Sequence, residues 1–148
     1  MNEKLANKLC ADFPTLYKGR HRTIQESLMP FGFGCGDGWY NIIYKLSEGI
    51  VALDKKVEAT QVKEKFGGLR FYVSPTKAEV FDLINEAEEQ SYKICEECGE
   101  KGKLREELPW MLTLCNKHYK KIEPDKKTKK INKKKAKQHI SFKIRVNA

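Results

Sequence analysis

Four residues in the second half of this 148-residue chain constrain its fold more than any other feature. Cys95 and Cys98 are separated by two residues, and Cys115 and His118 repeat that spacing after a gap of sixteen residues. A Cys-x2-Cys pair turns tightly, so both thiolates can point at one ion, and three thiolates with one imidazole complete a tetrahedral shell suited to Zn²⁺. The sequence therefore predicts one structural zinc site, with no coordination position left for a catalytic water.

The segment around these ligands, residues 93–121, is expected to fold as a small zinc-binding unit. Gly99 comes directly after the second cysteine, where a knuckle turn needs a positive φ. A cysteine knuckle, a hairpin and a helix that carries the last two ligands resemble a treble-clef finger. The predicted core of this segment is little more than Leu104, Leu108, Trp110, Leu112 and Leu114. Bound zinc is therefore expected to supply part of the folding free energy.

The first 92 residues are predicted to form an α+β body in which helices pack on a small antiparallel sheet. Hydrophobic periodicity, helix-start signals and prolines predict its helices. They cover 2–13, a brief segment with Thr23 and Glu26 as a capping box and Pro30 at its end, about 38–53, and a segment with Thr76 as N-cap and Glu79 three residues on. The helix over about 38–53 follows the 3.6-residue period most closely.

The sequence QVKEKFGGLRFYV, residues 61–73, predicts a β-hairpin within this body. Two β-rich runs flank Gly67 and Gly68, which suit a two-residue turn with positive φ. That turn would place Lys65 opposite Arg70 and leave alternate residues on opposite faces. One face would carry Val62, Glu64, Phe66, Leu69, Phe71 and Val73, and the other would carry Lys63, Lys65, Arg70 and Tyr72.

Two features of the predicted hairpin conflict with ordinary strand rules. Lys65 and Arg70 are like charges placed opposite one another, and Glu64 is a carboxylate on the apolar face. In one interpretation, the basic side chains splay into water and Glu64 lies at the margin of the sheet. In the other, Lys63, Lys65, Arg70 and Tyr72 bind a phosphate-bearing ligand, while Glu64 orients a basic residue or caps a backbone group.

Residues 31–39, FGFGCGDGW, have glycine at every second position. The spacing differs from G-x-G-x-x-G and no clear strand precedes it, so a dinucleotide-binding loop is not indicated. Asp37 stands just before a predicted helix and is expected to be its N-cap, while Phe33 and Trp39 are expected in the core. The glycines allow a tight turn into that helix. The stretch becomes a ligand site only if the basic face of the hairpin folds beside it.

The net charge of +9 belongs to the C-terminal segment. Residues 120–148 hold twelve lysines and arginines against Glu123 and Asp125, whereas residues 1–119 hold seventeen basic and eighteen acidic residues. A lysine run of this density attracts nucleic acid through the phosphates, although it can also serve only as a solubilising tail. Residues 122–148 are thus predicted to be a lysine-rich tail, and the apolar alternation in HISFKIRVN predicts an edge strand at its end.

Composition also bears on location and on chemistry. No apolar run is long enough to span a bilayer, and the N-terminal residues lack the pattern of a secretory signal. Five cysteines, three of them at metal spacing, favour a reducing cytoplasm over a disulfide framework. No nucleophile–base pair stands out, and His21, between Arg20 and Arg22, is interpreted as a solvated histidine. The sequence therefore gives no support for an enzyme.

Three stretches resemble a family of small bacteriophage and prophage proteins, most of which have no assigned function. They are GDGWYNIIYKL, QVKEKFGGLRFYV and CEECG…LCNKH, and the resemblance spans roughly residues 31–120. It implies a viral or prophage origin, the cytoplasm of a host bacterium, and a compact body bearing a CxxC/CxxH zinc finger. Small phage proteins of this kind often bind nucleic acid or neutralise host defences.

The sequence leaves more than one class of function open. The leading hypothesis is a non-enzymatic zinc protein that binds phosphate-bearing ligands, above all nucleic acid. The alternative is an anti-defence protein that sequesters a host nucleotide signal or blocks a host defence protein. A nuclease built on the finger, with His21 as a catalytic residue, is a third hypothesis with less support.

Overall fold

The computed structural model describes residues 1–122, which form an α+β arrangement of helices with two small sheets. The helices and strands follow in the order α1 (Glu3–Asp12), β1 (Phe33–Gly34), α2 (Tyr40–Leu53), β2 (Ala59–Lys65), β3 (Gly68–Val73), α3 (Ala78–Ser91), β4 (Lys103–Arg105), β5 (Leu112–Leu114) and α4 (Asn116–Ile122). The predicted fold class, α+β, is confirmed. No helix within residues 1–122 combines the length and apolar character that crossing a bilayer requires. The predicted lysine-rich run and terminal strand lie outside the described residues.

The larger sheet has three strands in the order β1–β2–β3 and is mixed. β2 and β3 form the predicted antiparallel hairpin, whereas β1 pairs with β2 in the parallel sense, with Phe33 opposite Val62 and Gly34 opposite Lys63. The expectation of a purely antiparallel sheet is therefore wrong. The parallel strand comes from the glycine stretch. It has only two residues and is too short to show any alternation in sequence.

One apolar core joins the helices to the inner face of this sheet. α2 packs against α3, and α3 packs against β3. The most deeply buried apolar side chains come from every part of the body: Leu9, Leu16, Tyr17, Met29, Trp39, Ile43, Ile50, Val62, Leu69 and Val80. Phe33 and Trp39 are both buried, which confirms that they anchor the core. Burial of each large apolar side chain contributes about 1.5–3 kcal/mol to folding.

α3 covers the outer edge of β3. The backbone N–H of Leu69 donates to Ser91 Oγ at 2.9 Å, and the backbone N–H of Phe71 donates to Glu88 Oε1 at 3.0 Å. Residues three apart on a helix lie on the same face, so both acceptors reach the strand together. A free row of edge N–H groups invites pairing with another chain. These two side chains therefore satisfy the backbone and block the edge.

The brief helix predicted after Thr23 is not formed. Residues 23–27 make turns instead, although the backbone N–H of Thr23 still donates to Glu26 Oε2 at 3.2 Å, as in a capping box. The end of the segment is hydrogen-bonded to the larger sheet, because the N–H of Leu28 donates to the Thr60 carbonyl at 2.8 Å. This long-range hydrogen bond replaces one that a helix would have used.

The other predicted helices are present, but the caps predicted for α2 and α3 are not formed. α1 begins at Asn2, whose side chain accepts from the N–H of Leu5 at 2.9 Å, and α2 matches the predicted extent closely. α3 begins without a side-chain cap. Thr76 is not its N-cap, because its hydroxyl donates to Asp54 Oδ2 at 2.7 Å and so joins the start of α3 to the end of α2.

The hairpin turns one residue earlier than predicted. Its turn residues are Phe66 and Gly67, with φ of 54° and 81°, values close to those of a type I′ turn. Gly68 belongs to β3, where the lack of a side chain makes room for the Tyr92 ring. Gly67-Gly68 is therefore not the turn pair that the sequence predicted.

The cross-strand partners change with the turn. Lys63, and not Lys65, lies opposite Arg70, so the predicted Lys65–Arg70 pair is wrong. Moving the turn by one residue changes each partner by two positions, so the residues keep their faces. The basic side chains of the hairpin therefore share the face that the sequence predicted, in a different register.

Candidate functional site

The four predicted zinc ligands come together in the structure. The ligand atoms of Cys95, Cys98, Cys115 and His118 all lie within 4.8 Å of one another. Cys98 Sγ and Cys115 Sγ are 3.8 Å apart, and His118 Nδ1 is 3.2 Å from Cys115 Sγ. Zn–S bonds of about 2.3 Å at tetrahedral angles would separate two sulfur atoms by about 3.8 Å. The group can therefore hold a metal ion, and its size suits a tetrahedral one.

Two local structures position these ligands. Cys95 and Cys98 flank a knuckle in which the N–H of Gly99 donates to the Cys95 carbonyl at 2.9 Å, and Gly99 has the predicted positive φ of 80°. Cys115 follows β5 directly, and His118 lies in the first turn of α4. The β4–β5 hairpin connects the two ligand pairs and brings them close together in space, although sixteen residues separate them in the sequence.

A buried arginine, which sequence reasoning missed, supports the second ligand pair. Arg105 is 9% exposed and donates to the Leu114 carbonyl and to Asn116 Oδ1, on either side of Cys115. Its guanidinium also lies 4.4 Å from the centroid of the Tyr119 ring. Arg105 thereby fixes the junction between β5 and α4. In the sequence it looks like one more basic residue in a charged segment.

The cysteines differ in acidity according to their surroundings. The backbone N–H of His118 and, after it, the neighbouring imidazole and thiols lower the pKa of the Cys115 thiol to about 6. Burial raises the pKa of the Cys35 thiol to about 12, and burial also raises the pKa of Cys10. A low pKa favours the thiolate that a metal needs, whereas buried thiols of raised pKa are inert. Cys35 belongs to the core, and the half-buried Cys10 packs against it.

The knuckle of the metal centre rests on the glycine stretch of the body. The N–H of Gly38 donates to the Glu96 carbonyl at 2.7 Å, and the N–H of Gly36 donates to Glu96 Oε1 at 3.0 Å. The indole N–H of Trp39 donates to the Ile94 carbonyl at 2.9 Å. The first ligand pair is thus hydrogen-bonded to the segment that enters α2.

This contact explains glycine at position 38. A β-carbon there would lie 2.1 Å from the carbonyl oxygen of Cys95, a distance that real structures do not show. The backbone of the stretch is therefore a docking surface for the knuckle, and Gly36 and Gly38 do not form the ligand site considered for the stretch. Asp37 is not the N-cap of the helix either. Its carboxylate accepts from the backbone N–H and the side-chain amide of Asn2.

The hairpin tip makes a second contact between the body and the metal-binding segment. Thr113, which is fully buried, donates from Oγ1 to the Gly67 carbonyl at 2.6 Å. The Leu104 side chain lies directly against Gly67. Glu64, on the inner face of the hairpin, accepts from the N–H of Gly67 at 2.8 Å. Glu64 therefore caps a backbone group, one of the two roles considered for it.

We call Lys63, Lys65, Arg70 and Tyr72 the cationic face, since they project from the outer side of the β2–β3 hairpin. Arg70 donates to the Tyr92 hydroxyl at 3.1 Å and to the Leu69 carbonyl at 2.8 Å. Within residues 1–122, neither lysine forms an ion pair, and no carboxylate of the hairpin shares their face. The structure therefore brings the four predicted ligand-binding residues to one surface.

His21 lies apart from these features. It is exposed and ends a short 3₁₀ helix, Lys18–His21. The one cluster of potential metal ligands found within residues 1–122 does not include it.

Comparison of the chain with protein-family models, with curated proteins and with solved structures finds no match.

Proposed function

We propose that this protein binds nucleic acid through the cationic face, while a structural zinc ion holds the finger in shape. The observation that carries the proposal is the group of cations on the outer side of the hairpin. Lys65 is exposed, Lys63 and Arg70 are half-buried, and the two lysines have no acidic partner within residues 1–122. Unpaired lysines and an arginine beside a tyrosine provide phosphate contacts and a ring for base stacking.

Zinc is the ion that we propose for the metal centre. Three thiolates and one imidazole form the soft donor set typical of structural zinc, and all four positions are filled by protein. The order of knuckle, β4–β5 hairpin and α4 resembles a treble clef, and we assign the segment to that class of finger. Elemental measurement of the purified protein is expected to find about one zinc per chain.

The lysine-rich tail is expected to add affinity without sequence preference. Residues 120–148 carry a net charge of +10, which favours release of counterions from a polyphosphate. Such thiolate-rich proteins keep their ligands reduced in the cytoplasm, where we place this one. A phage or prophage origin stays a prediction from the sequence.

The experiment that tests the proposal is a salt titration of binding to a fluorescent oligonucleotide. The change is Lys63→Gln with Lys65→Gln in the full, zinc-loaded chain. We expect binding to weaken about tenfold at low salt and the slope of log K against log salt to fall by about 1.4–1.8, since two phosphate contacts are lost.

The matched control is Lys55→Gln with Lys56→Gln, which removes the same charge from two exposed positions after α2. It should change the affinity little. Equal losses in both variants would show that only net charge matters, and the proposed face would be wrong. A third variant, with Lys133, Lys134 and Lys135 changed to glutamine, measures how much of the binding affinity comes from the tail.

A further inference from the structure

Phe66 is a large aromatic residue whose position the fold does not explain. Its side chain is 61% exposed, and its φ of 54° lies in the left-handed region. The first position of a type I′ turn normally holds Asn, Asp or Gly, because a bulky side chain there strains the backbone. Phe66 thus carries strain and gains little burial. A local conflict without structural gain is typical of a functional position.

A second exposed aromatic residue lies on the other side of the same contact. Trp110, in the loop between β4 and β5, is 80% exposed, so the prediction that it belongs to the core of this segment is wrong. The backbone of Met111 and Leu112 lies 3.4 Å from the position that a β-carbon on Gly67 would take. Each aromatic residue is therefore the immediate chain neighbour of a residue in the contact between hairpin and finger.

This contact holds the hairpin tip in place. The buried Thr113 hydroxyl donates to the Gly67 carbonyl, and the N–H of Gly67 donates to Glu64. Gly67 is therefore bound on both its donor and its acceptor side. An aromatic side chain beside a fixed backbone loses little conformational entropy when a ligand stacks on it.

The charges around the two rings are placed unequally. Lys65 Nζ lies 5.5 Å from the centroid of the Phe66 ring, and Lys63 and Arg70 follow on the same face of the hairpin. The loop of Trp110 instead carries the carboxylates of Glu106 and Glu107. Phosphates would therefore be attracted to the hairpin, whereas residues 106–111 of the Trp110 loop contribute an exposed ring but no cation of their own.

We propose that Phe66 and Trp110 stack on the bases of single-stranded nucleic acid whose phosphates contact the cationic face. This inference rests on the proposed function and narrows it. Exposed rings beside cations bind single strands because every unpaired base offers a free face, whereas a duplex keeps its base faces covered. The ring–cation arrangement thus favours single strands over duplex.

The test measures fluorescence anisotropy of the full, zinc-loaded chain with three labelled probes of equal length: single-stranded DNA, single-stranded RNA and duplex DNA. The two changes are Phe66→Asn and Trp110→Ser. Each should weaken single-strand binding by at least about fivefold and leave duplex binding unchanged. Phe66→Asn should also unfold at the same or a higher temperature, because Asn-Gly suits this turn.

The matched control is Phe81→Gln, which removes an exposed aromatic side chain from α3. It should leave binding to all three probes unchanged. Trp110 emission offers a second readout, since stacking on a base should quench it, and the quenching should be absent in Trp110→Ser. Wild-type and Phe81→Gln protein should show equal quenching.

The outcomes separate this inference from the proposed function. If the lysine double variant weakens binding but Phe66→Asn and Trp110→Ser do not, stacking is wrong and the phosphate contacts stand. Duplex binding as tight as single-strand binding would also overturn the inference. If no probe binds at low salt, the proposed function itself fails. A preference between the DNA and RNA single strands identifies the sugar and leaves the stacking in place.

Discussion

At the scale of single residues, the close approach at Gly38 controls whether the metal centre can reach the body. Its N–H donates to the Glu96 carbonyl, and its α-carbon faces the Cys95 carbonyl with no room for a methyl group. The residue before it, Asp37, is tied to Asn2 instead of capping the helix. The conformation of the glycine stretch is therefore determined by an intramolecular contact with the knuckle.

Gly38→Ala should destabilise the protein and weaken zinc binding. The added methyl group forces the knuckle away from the body, and overpacking of this kind costs about 1–3 kcal/mol. Gly34→Ala is the control, since the nearest atom to its β-carbon would be Lys63 Cβ at 3.3 Å. Chemical denaturation and a competitive zinc titration measure both effects. Equal stability and zinc affinity in the two variants would contradict this account of Gly38.

Glu58 provides a prediction on pH. Hydrogen bonding by Arg22 and, more weakly, Lys18 lowers the pKa of Glu58 from its ordinary value of 4.5. Its contribution is therefore present above about pH 4.5 and is lost as the pH falls through the lower folded-state pKa. Glu58→Gln should lower the free energy of unfolding by about 0.5–1 kcal/mol at pH 7, the usual value for a partly exposed pair.

The measurement for Glu58→Gln is urea unfolding from pH 7 down to pH 3, with the difference from wild type taken at each pH. That difference should shrink toward zero on the acid side. Glu48→Gln, which removes an exposed carboxylate that forms no ion pair within residues 1–122, serves as control and should show no such trend. A difference that persisted unchanged at pH 3 would mean that the loss does not come from the ion pair.

At the scale of elements, the pairing of α3 with β3 determines how the edge of the larger sheet is closed. Ser91 and Glu88 supply acceptors for two strand N–H groups, and the strand has no further partner strand in residues 1–122. Side chains of α3 thus accept hydrogen bonds that a neighbouring strand would otherwise accept. An amphipathic pattern predicts α3, but the sequence does not indicate that its polar side chains bond to the sheet.

Glu88→Ala should show that the stability of the sheet edge depends on the hydrogen bond to this side chain. The change leaves the Phe71 N–H without its acceptor next to the core, which costs about 1–3 kcal/mol. Glu88→Gln keeps an oxygen at the same place and should retain most of the stability. Thermal unfolding compares the two variants, and light scattering reports edge-to-edge association, which we expect only in Glu88→Ala. Identical unfolding of both variants would contradict the proposed role of the carboxylate oxygen.

At the scale of the whole molecule, metal binding is connected to the core of the body. Ile94, just before the first ligand, accepts the hydrogen bond of the buried Trp39 indole, and Thr113, two residues before Cys115, bonds to the hairpin tip. The segments that carry both ligand pairs are therefore hydrogen-bonded to the body. Loss of the metal should therefore change the structure around the core residues as well as that of the metal-binding segment.

Removal of the proposed zinc ion should change the environment of Trp39. In a Trp110→Phe variant Trp39 is the sole tryptophan, so its emission reports the core directly. Chelation with EDTA should shift that emission to longer wavelength, and added Zn²⁺ should reverse the shift. A Cys115→Ser version of the same variant should start shifted and not respond. Unchanged Trp39 emission after complete removal of the zinc would show that the body does not depend on the metal centre.

Periodic and spaced features could be predicted from the sequence. The ligand spacing indicated the Cys/His cluster, and apolar periods indicated α1 and α2 and the burial of Trp39. The two-residue β1 and the buried Arg105 could not be predicted, because neither leaves a pattern. The turn position was also mispredicted, because Gly67-Gly68 suits a turn with positive φ on local grounds, whereas the turn lies at Phe66-Gly67.

The sequence by itself determined the local features: which residues have metal-ligand spacing, which segments are amphipathic, and which hairpin face is basic. These follow from side-chain chemistry and from the periods of helix and strand. Only the tertiary structure decided how distant segments meet. Contact with the knuckle made Gly38 part of an interface, and contact of Tyr92 with Gly68 and of Leu104 with Gly67 gave the two glycines different roles. Such contacts join residues far apart in the chain, and no local period records them.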